Sequence, residues 1–472
     1  MSDYILTVGI EVHAEMNTNT KAFCSCANMY GAKPNTLVCP MCLGLPGSIP
    51  SINRSAVEKT IATALMFDGE ISSSTRFERK NYFYYDLPKG YQIVQYNMPI
   101  STGGQITLST GKVVDVDRIH MEEDTAKVVY GDNGETYLDF NRSGVPIVEI
   151  VCKPTVMTCE EIVESVQTIR QNLLYAGVSN CRLERGELRF DINMSLSNSP
   201  NKLGTRVELI NLTSASDISK AVSYEIERQK SILDEGGEVS QETRCYSRER
   251  NETYEYRRKE NVRDYRHVTD PDLREIKITQ QDIKKIRKLL PESLRSRVLR
   301  YEVMGLEKNI IDIITADFQL SNYFDEVVCM ENNPVEVSNW VVGDLLNISK
   351  EMNSSQLSNL IKPQELAKII NLLTTGQISR HNAKVILKEA VVTGKTATLI
   401  AREYSMLGVV SDKDHWAVVD EILETNPAVV EDYKNNPEKV INHFVGEALE
   451  LSGGRVDIET IKRMLKEKLD CL

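Results

Sequence analysis

Two polar residues near the N-terminus alternate with apolar ones in a pattern typical of a β-strand. Glu11 and His13 are two positions apart, and the period of two that strands follow puts both side chains on one face. Ile10 and Val12 then point to the opposite face, where we expect a hydrophobic core. A carboxylate beside an imidazole can form an ion pair or contribute to a site for a divalent cation.

Further carboxylates occur in segments that are either apolar or unusually acidic. One lies between Phe190 and Ile192, one is in the apolar run Val145–Val151, and two adjacent ones are in Arg118–Asp124. A buried carboxylate costs free energy unless it is paired or bound to a metal. The acidic candidates from these segments are Glu122, Glu123, Glu149 and Asp191.

Carboxylates with one imidazole form a set of hard ligands that suits Mg²⁺ or Mn²⁺. The competing interpretation is that each carboxylate pairs with a nearby arginine, such as Arg118, Arg142 or Arg189. Both interpretations stay open for any single carboxylate, because no spacing in the sequence brings these segments together. Adjacent strand residues point to opposite faces, so the sequence does not decide whether Glu122 or Glu123 faces a metal.

Four clustered cysteines indicate a second metal site. Cys24 and Cys26 form one close pair, and Cys39 and Cys42 form another pair after twelve intervening residues. Four thiolates suit tetrahedral zinc and leave no open position for water, so we predict a structural zinc site. The alternative is four ordinary buried thiols.

The whole chain limits the class of protein. Its 472 residues suggest two or three domains, and its net charge of −12 argues against a protein that coats nucleic acid. The basic stretch Lys284–Arg300 is a local exception, either an RNA-binding surface or a solvated helix face. No apolar run approaches the ~20 residues of a membrane helix, and no export signal is recognisable, so we expect a cytoplasmic protein without a membrane partner.

Strand-like and helix-like segments alternate up to about residue 280. Thr158 and Glu161 have the spacing of a capping box, and Gly177 stands where the helix that follows should end. Short runs of branched and aromatic residues predict strands. These runs are Val113–Val116, Thr136–Phe140 and Ile147–Val151.

From about residue 281 the pattern is helical only. Ser379 can cap one helix, another carries Trp416 and stops at Asn426-Pro427, and a third covers Ile458–Leu469. We therefore predict an α+β fold in which helical domains follow a mixed domain. The predicted domains are 1–285, 286–400 and 401–472, and the candidate breaks are Thr393–Lys395 and Gly408–Ser411.

Long, irregular motifs reveal a family. Arg79–Tyr84 and Asp86–Gln92 are too specific for chance agreement, and through them the chain resembles the GatB family, the B subunits of the glutamyl/aspartyl-tRNA amidotransferases, along nearly its whole length. The other matching stretches are Gly9–His13, Pro34–Thr36, Cys39–Pro46, Glu122–Asp124, Asn141–Glu149, Gln241–Arg244 and Trp340–Asp344.

The resemblance implies a function in repairing misacylated tRNA, which carries glutamate or aspartate where glutamine or asparagine belongs. Members of this family use ATP and Mg²⁺ to phosphorylate the side-chain carboxylate of the attached amino acid. A partner amidase, the A subunit, releases ammonia from glutamine, and a small C subunit holds the two together. The implied fold is a cradle-shaped α+β domain, a helical domain and a tail domain that binds tRNA.

The resemblance also implies roles for residues at matching positions. Lys80 and Lys89 would offset developing negative charge, although surface lysines are the alternative. The implied Mg²⁺ ligands are Glu11, His13, Glu122 or Glu123, and Glu149, with Asp191 as a further member. The residues that we expect to bind ATP are Lys80, Asn81, Lys89 and Gln92. The expected catalytic residues are Glu11, His13, Lys80, Tyr82, Lys89 and Glu123.

The chain departs from the family pattern close to the expected site. Tyr85 replaces a common proline, and residues 184–189, 210–215 and 265–272 differ from the usual sequences. Two alternatives therefore stay open, a tRNA-binding adaptor that has lost catalysis and an unrelated metal-dependent phosphate-ester hydrolase. Because the ligand set is intact, we predict an active enzyme.

Overall fold

The computed structural model divides the chain into two compact units, Met1–Arg295 and Ser296–Leu472. The candidate break at Gly408–Ser411 lies outside the described residues. The structure describes residues 4–131, 133–199, 202–258, 265–352, 356–404, 406, 412–434, 436–452, 456 and 458–470.

The first unit is built on a large mixed sheet. Its strands are β1 Ile5–Glu15, β2 Glu70–Ile71, β3 Ser74–Thr75, β4 Glu78–Asn81, β5 Tyr91–Val94, β6 Ser101–Thr102, β7 Gln105–Thr107, β8 Val113–Glu123, β9 Lys127–Tyr130, β10 Thr136–Asp139, β11 Pro146–Cys152, β12 Thr155–Val156, β13 Leu188–Ser197, β14 Val207–Leu212, β15 Glu242–Ser247, β16 Glu252–Arg258, β17 Val268–Thr269 and β18 Ile276–Lys277. Its helices are α1 Arg54–Met66, α2 Cys159–Tyr175, α3 Ala215–Asp234 and α4 Gln280–Leu289.

The order of the strands brings distant parts of the chain together. Along the main sheet it is β16-β15-β14-β13-β1-β11-β8-β5-β4-β17, so β1 is a central strand between β13 and β11. The pairings along this path are antiparallel except that β14 and β15 run parallel. The N-terminal strand therefore lies beside strands that begin more than 130 residues later.

One face of this sheet packs against helices and forms the core of the unit. Helices α1, α2 and α3 contact the sheet, and Ile10, Val12, Ile150 and Ile192 are fully buried in this core. Apolar residues occupy alternate positions of β1, so the residues between them face the other side. This second face carries polar side chains in the centre of the sheet.

The second unit is helical throughout its described residues. Residues 334–351 form one continuous helical run that contains the π-helical segment Asn339–Leu345. The helices from the junction onward are α5 Leu294–Val303, α6 Lys308–Thr315, α7 Phe318–Met330, α8 Pro334–Ser338, α9 Leu346–Glu351, α10 Leu357–Leu360, α11 Pro363–Thr374, α12 Arg380–Thr393, α13 Ala397–Glu403, α14 Asp412–Thr425, α15 Pro427–Glu431, α16 Pro437–Leu451 and α17 Ile458–Leu469.

Two hydrophobic cores stabilise this helical unit. One contains Trp340 and Phe324, and the other, toward the C-terminus, contains Phe444 and Leu465. The three-domain division, with boundaries at 285 and 400, stays a prediction. Among the described residues, each helix is too short or too polar to cross a lipid bilayer.

The local signals predict these elements well. Thr158 and Glu161 form the predicted capping box, Gly177 adopts a positive φ of 62° just after α2, and Ser379 caps α12. The helix Ile458–Leu469 has the predicted bounds, and the α+β fold class is confirmed. The strand predicted at Val113–Val116 is too short, because β8 continues through the acidic segment to Glu123.

Candidate active site

Polar side chains from four neighbouring strands form a row across the open face of the sheet. His13 of β1 lies opposite both Glu149 of β11 and Arg189 of β13. Glu149 lies opposite His120 of β8. Directly opposed residues of antiparallel strands point to the same face, so long-range pairing brings these four side chains together.

A compact group of potential metal ligands surrounds His13. Its Nδ1 lies 3.3 Å from Glu122 Oε1, and its Nε2 lies 3.6 Å from Asp191 Oδ2. The donor atoms of His13, Glu11 and Asp191 lie within 4.8 Å of one another, and so do those of His13, Glu122 and Glu149. We call Glu11, His13, Glu122, Glu149 and Asp191 the carboxylate cluster.

Electrostatics in the carboxylate cluster favour a bound cation. Burial raises the pKa of Glu11, and the neighbouring Glu149 raises it further. Burial lowers the pKa of His13, but Glu149, Asp191 and Glu122 outweigh this effect and raise the pKa well above its ordinary value. Four carboxylates thus share one imidazole within the cluster. A divalent cation with a preference for oxygen ligands fits this donor set, because it would neutralise the excess negative charge.

Two side chains outside the cluster hold its carboxylates in place. His120 Nε2 lies 3.0 Å from Glu149 Oε2, and Asn193 Nδ2 donates to Glu11 Oε1 at 3.1 Å. Burial raises the pKa of Glu149, but His120 and His13 lower it to a net value well below its usual range. Glu149 is therefore an anion in the folded protein.

A cavity of about 340 Å³ opens above the carboxylate cluster. Two cationic side chains, Lys80 and Arg189, line it, which suits an anionic guest. Arg189 Nη1 lies 3.0 Å from Asp124 Oδ2, so Arg189 is held at the wall of the cavity. The other lining residues outside the cluster are Gln92, Asp124, Thr125, Ile147 and Glu208.

Aromatic rings position Lys80 beside the carboxylates. Its Nζ lies 5.0 Å from the ring centre of Tyr265 and 6.0 Å from that of Tyr82, within the range of cation–π contact. The Tyr82 hydroxyl donates to Gln92 Oε1 at 3.3 Å, which fixes its ring. Burial lowers the pKa of Lys80, but Glu122 and Glu149 outweigh it and raise the pKa, so the amine is charged.

Three residues expected at the site have other surroundings. Glu123 points away from Glu122 and forms a buried ion pair with Lys89, whose amine contacts both carboxylate oxygens. Neither side chain lines the cavity of the carboxylate cluster. Asn81 donates its amide to the carbonyl oxygens of Arg79 and Arg266, so it supports the backbone. Glu122 is therefore the member of the adjacent pair that lies with His13.

A second cavity, of about 440 Å³, adjoins the first and shares Glu11 with it. Three cationic residues line this cavity, Arg118, Lys153 and Arg206. Its wall also includes Tyr96, whose ring stacks on that of His267 at 4.4 Å between centroids. Cations with an exposed aromatic ring suit a phosphorylated ligand that carries a planar base.

The four clustered cysteines converge as the zinc prediction requires. Their sulfur atoms lie within 4.8 Å of one another, and those of Cys39 and Cys42 are 3.9 Å apart. Tetrahedral zinc with Zn–S bonds of 2.3 Å separates its sulfurs by about 3.8 Å. A hydrogen bond with Cys24 lowers the pKa of Cys42 to about 4, so a thiolate is available. The cluster can hold a structural zinc ion.

Sequence reasoning missed some of the residues that the fold adds to the site. His120 was overlooked, and Arg189 was considered only as a partner that might neutralise a carboxylate. Arg118, His120 and Glu122 alternate along β8, and this period of two is a signal that could have placed His120 on the same face as Glu122. The cations Lys153 and Arg206 had no comparable signal.

Comparison with known proteins identifies the family. Residues 6–284 match the family model described as the GatB/GatE catalytic domain, and residues 322–469 match the one described as the GatB domain. The B subunit of the aspartyl/glutamyl-tRNA(Asn/Gln) amidotransferase of Moorella thermoacetica is 39% identical over 475 residues, covering 99% of this chain and all of that protein. Its counterpart in Carboxydothermus hydrogenoformans is 38% identical over 478 residues, covering 99% of each chain. The chain belongs to the GatB family.

Proposed function

We propose that this protein is the activating subunit of a tRNA-dependent amidotransferase. It would phosphorylate the side-chain carboxylate of Glu-tRNA(Gln), Asp-tRNA(Asn) or both with ATP, and ammonia from a partner glutaminase would then form the amide. The observation that carries the proposal is the carboxylate cluster, which adjoins a cavity lined by Lys80 and Arg189. Relatives across nearly the full length are the B subunits of such amidotransferases.

The reaction requires two substitutions. A carboxylate is a poor acyl donor because attack by ammonia would have to expel oxide. In the first step, a carboxylate oxygen attacks the γ-phosphorus of ATP, and the bond to the bridging oxygen breaks to release ADP. In the second, ammonia attacks the acyl carbon, the carbon–oxygen bond to phosphate breaks, and a proton leaves the nitrogen. Phosphoryl transfer of this kind depends mainly on positioning and charge stabilisation.

The carboxylate cluster would hold Mg²⁺ through Glu11, His13, Glu122, Glu149 and Asp191. The ion would supply charge neutralisation at phosphate oxygens. His120 and Asn193 would keep Glu149 and Glu11 oriented for this role, as supporting residues do in metal sites.

The two cavities on either side of Glu11 suit the two substrates. We assign the nucleotide to the cavity of Arg118, Lys153 and Arg206, and the aminoacyl end of the tRNA to the cavity of Lys80 and Arg189. Lys80 would stabilise the phosphoryl group as it passes between them.

The other residues expected to bind ATP have smaller proposed roles. Gln92 lines the aminoacyl cavity and, with Tyr82, supports Lys80. Lys89, Glu123 and Asn81 would act on the site only through the structure that they stabilise.

We propose that Cys24, Cys26, Cys39 and Cys42 bind one structural Zn²⁺. Metal analysis of the purified protein should find about one equivalent of zinc, and Cys26→Ser should lower both this content and the melting temperature. Ser25→Ala, between two of the ligands, is the matched control. A zinc content below half an equivalent in protein whose thiols are all reduced would contradict the zinc site.

The remaining proposals concern partners and location. The partners would be an amidase, which is the A subunit of such enzymes, a small C subunit and the misacylated tRNA. Because charged tRNA is the proposed substrate, we propose that the protein works in the cytoplasm.

Reconstitution tests the proposed function. Purified protein is given Glu-tRNA or Asp-tRNA with ATP, Mg²⁺ and ammonium chloride, with and without the matched partner subunits. We expect Gln-tRNA or Asn-tRNA to form with one ADP released per amide. The absence of amide even with the matched partners would refute the proposal. Binding of tRNA without ATP consumption would instead favour an adaptor, a role compatible with the departures near Lys80 at residues 265–272.

A further inference from the structure

An exposed group of aromatic side chains lies near the candidate active site. The loop after β4 carries some of them, and strands β9 and β16 carry the others. We call this group the tyrosine patch. Its members, with their exposed fractions, are Phe83 (90%), Tyr84 (46%), Tyr85 (49%), Tyr130 (71%), Tyr254 (43%) and Tyr256 (56%).

Direct contacts make the tyrosine patch continuous. The rings of Tyr84 and Tyr85 stack with centroids 4.7 Å apart. The Tyr85 side chain hydrogen-bonds that of Tyr130, and the Tyr256 side chain hydrogen-bonds that of Tyr84. Tyr254 extends the patch along β16, because alternate residues of a strand face the same side. Three separate segments of the chain therefore meet in one aromatic surface.

The tyrosine patch is too large for an ordinary solvent-facing surface. Large aromatic side chains present about 200 Å² each, so the exposed fractions correspond to on the order of 700 Å². The largest apolar patch of a typical monomer is about 300–600 Å². A standard protein interface buries about 800 Å² on each partner. The size of the patch thus corresponds to one side of a stable protein interface.

We infer that the tyrosine patch is the docking surface for the amidase that supplies ammonia, an inference that rests on the proposed function. The loop between β4 and β5 carries part of the patch, and it starts just after Lys80 and contains Tyr82 and Lys89. A protein bound to the patch would lie beside the site that consumes ammonia. Such proximity matters because ammonia released into water is largely protonated and is then no longer a nucleophile.

The charges around the tyrosine patch favour a protein partner over RNA. The patch itself contains no basic residue, and Asp86 and Glu255 are its charged neighbours in the loop and on β16. The nearby Arg250 lies 3.6 Å from Glu252, which offsets its charge. RNA-binding surfaces combine aromatic rings with cations that contact phosphates, whereas the cores of protein interfaces are rich in aromatic residues and poor in charge.

Paired tyrosine variants test this inference on the full chain. Tyr130→Ser with Tyr256→Ser removes two exposed rings from different strands, and neither residue belongs to the proposed catalytic machinery. The matched control is Tyr137→Ser, which is 58% exposed on the same hairpin but opposite Val129, whereas Tyr130 is opposite Thr136. Tyr130 and Tyr137 therefore face opposite sides of the hairpin.

Calorimetric titration with the matched amidase gives the Kd of each variant. We expect the double variant to bind at least about tenfold more weakly, as loss of aromatic interface anchors does, and the control to bind as wild type does. Glutamine-driven amidation at limiting amidase should fall in parallel, while amidation driven by ammonium chloride should not change.

Three outcomes would overturn the inference. An unchanged Kd is the first. A loss of tRNA affinity at unchanged amidase affinity is the second, since it would make the patch an RNA-stacking surface. The third is a wild-type dimer that the double variant dissociates while amidase affinity stays the same. If wild-type protein makes no amide from ammonium chloride, the proposed function fails, whereas the comparison of Kd values still decides whether the patch binds the amidase.

Discussion

Glu11 is the residue that both cavities share, and its environment explains why its charge should matter. Its carboxylate accepts a hydrogen bond from Asn193 and lies within the group that includes His13 and Asp191. Burial and Glu149 raise its pKa, so the folded protein keeps an anion there against an electrostatic cost. Such a cost is reasonable if the carboxylate binds a cation.

We expect Glu11→Gln to lower ATP-dependent amidation by ~10²-fold or more, because loss of preorganised charge stabilisation has effects of this size. Affinity for tRNA should change little, since the substitution keeps the shape of the side chain. Single-turnover amidation and filter binding measure the two quantities. Glu58→Gln, at an exposed position on α1, is the control. Wild-type turnover in Glu11→Gln would remove Glu11 from the site.

The adjacent residues Glu122 and Glu123 allow a sharper test, because the strand turns them to opposite faces. Glu122 lies against His13, whereas Glu123 pairs with the buried Lys89. We expect Glu122→Gln to weaken Mn²⁺ binding by on the order of tenfold or more, the scale on which metal sites respond to altered ligands and supports. Glu123→Gln should leave the affinity for Mn²⁺ nearly unchanged but lower the melting temperature, since it leaves a buried ammonium unpaired. Equal Mn²⁺ affinities in the two variants would contradict this assignment.

At the scale of single residues, the sequence predicts types and local faces but not assembly. The period of two places Glu11 and His13 on one face, and the structure has them so. The row from His120 to Arg189 depends on the register of four strands that are far apart in sequence. No spacing within one segment contains that register, so these two members escape sequence reasoning.

At the scale of elements, the first turn of α3 combines a helix cap with an ion pair. The carboxylate of Asp217 accepts hydrogen bonds from the backbone N–H of Thr213 at 3.1 Å and from Arg248 Nε at 2.9 Å. Burial raises the pKa of Asp217, but the hydrogen bonds from Arg248, Ser214 and Thr213 outweigh it and lower the pKa to about 2. The charged form therefore stabilises the fold.

This shift predicts a pH-dependent contribution to stability. Since the pKa is lower in the folded state than the value of about 3.9 in an unfolded chain, the contribution is complete above that value and disappears as the pH falls toward 2. Asp217→Asn should be less stable than wild type at pH 6, and the difference in urea midpoint should shrink from pH 5 to pH 3. Glu227→Gln, an exposed change on the same helix, is the control. A difference that is constant over this range would contradict the assignment.

Elements whose signals are local are those that the sequence predicts best. The capping box of α2 involves residues three apart, and the end of α2 needs only the left-handed conformation of Gly177. Strand β8 is different, because its acidic end at Glu122 and Glu123 carries no strand signal. It becomes a strand because β11 pairs with it along its length. Tertiary pairing thus overrides local propensity there.

At the scale of the whole molecule, a net charge of −12 must be reconciled with a tRNA substrate. The basic stretch proposed from the sequence separates into two parts. Arg297 and Arg300 of α5 bind Asn322 and Asp325 within the helical unit. On α4, by contrast, Lys284 and Arg287 are exposed and form no ion pair with another described residue. Only the α4 part is thus available to phosphates.

Lys284, Arg287 and Lys288 are spaced so that they share one face of α4, and all three are exposed. If this face contacts the tRNA backbone, replacing all three with Ala should weaken tRNA binding. It should also reduce the slope of log K against log salt by about 0.9 for each phosphate contact that is lost. Fluorescence titration of tRNA at several salt concentrations measures this slope.

Lys220→Ala with Lys230→Ala, on α3, is the matched control for removal of positive charge from another helix of the same unit. A purely long-range effect of net charge would lower the affinity of both variants alike, because it depends on how much charge is removed and little on where. Direct contacts would change the slope only in the α4 variant. An unchanged slope in the α4 variant would leave this helix as a solvated face and would direct the search for the tRNA surface to the C-terminal helices.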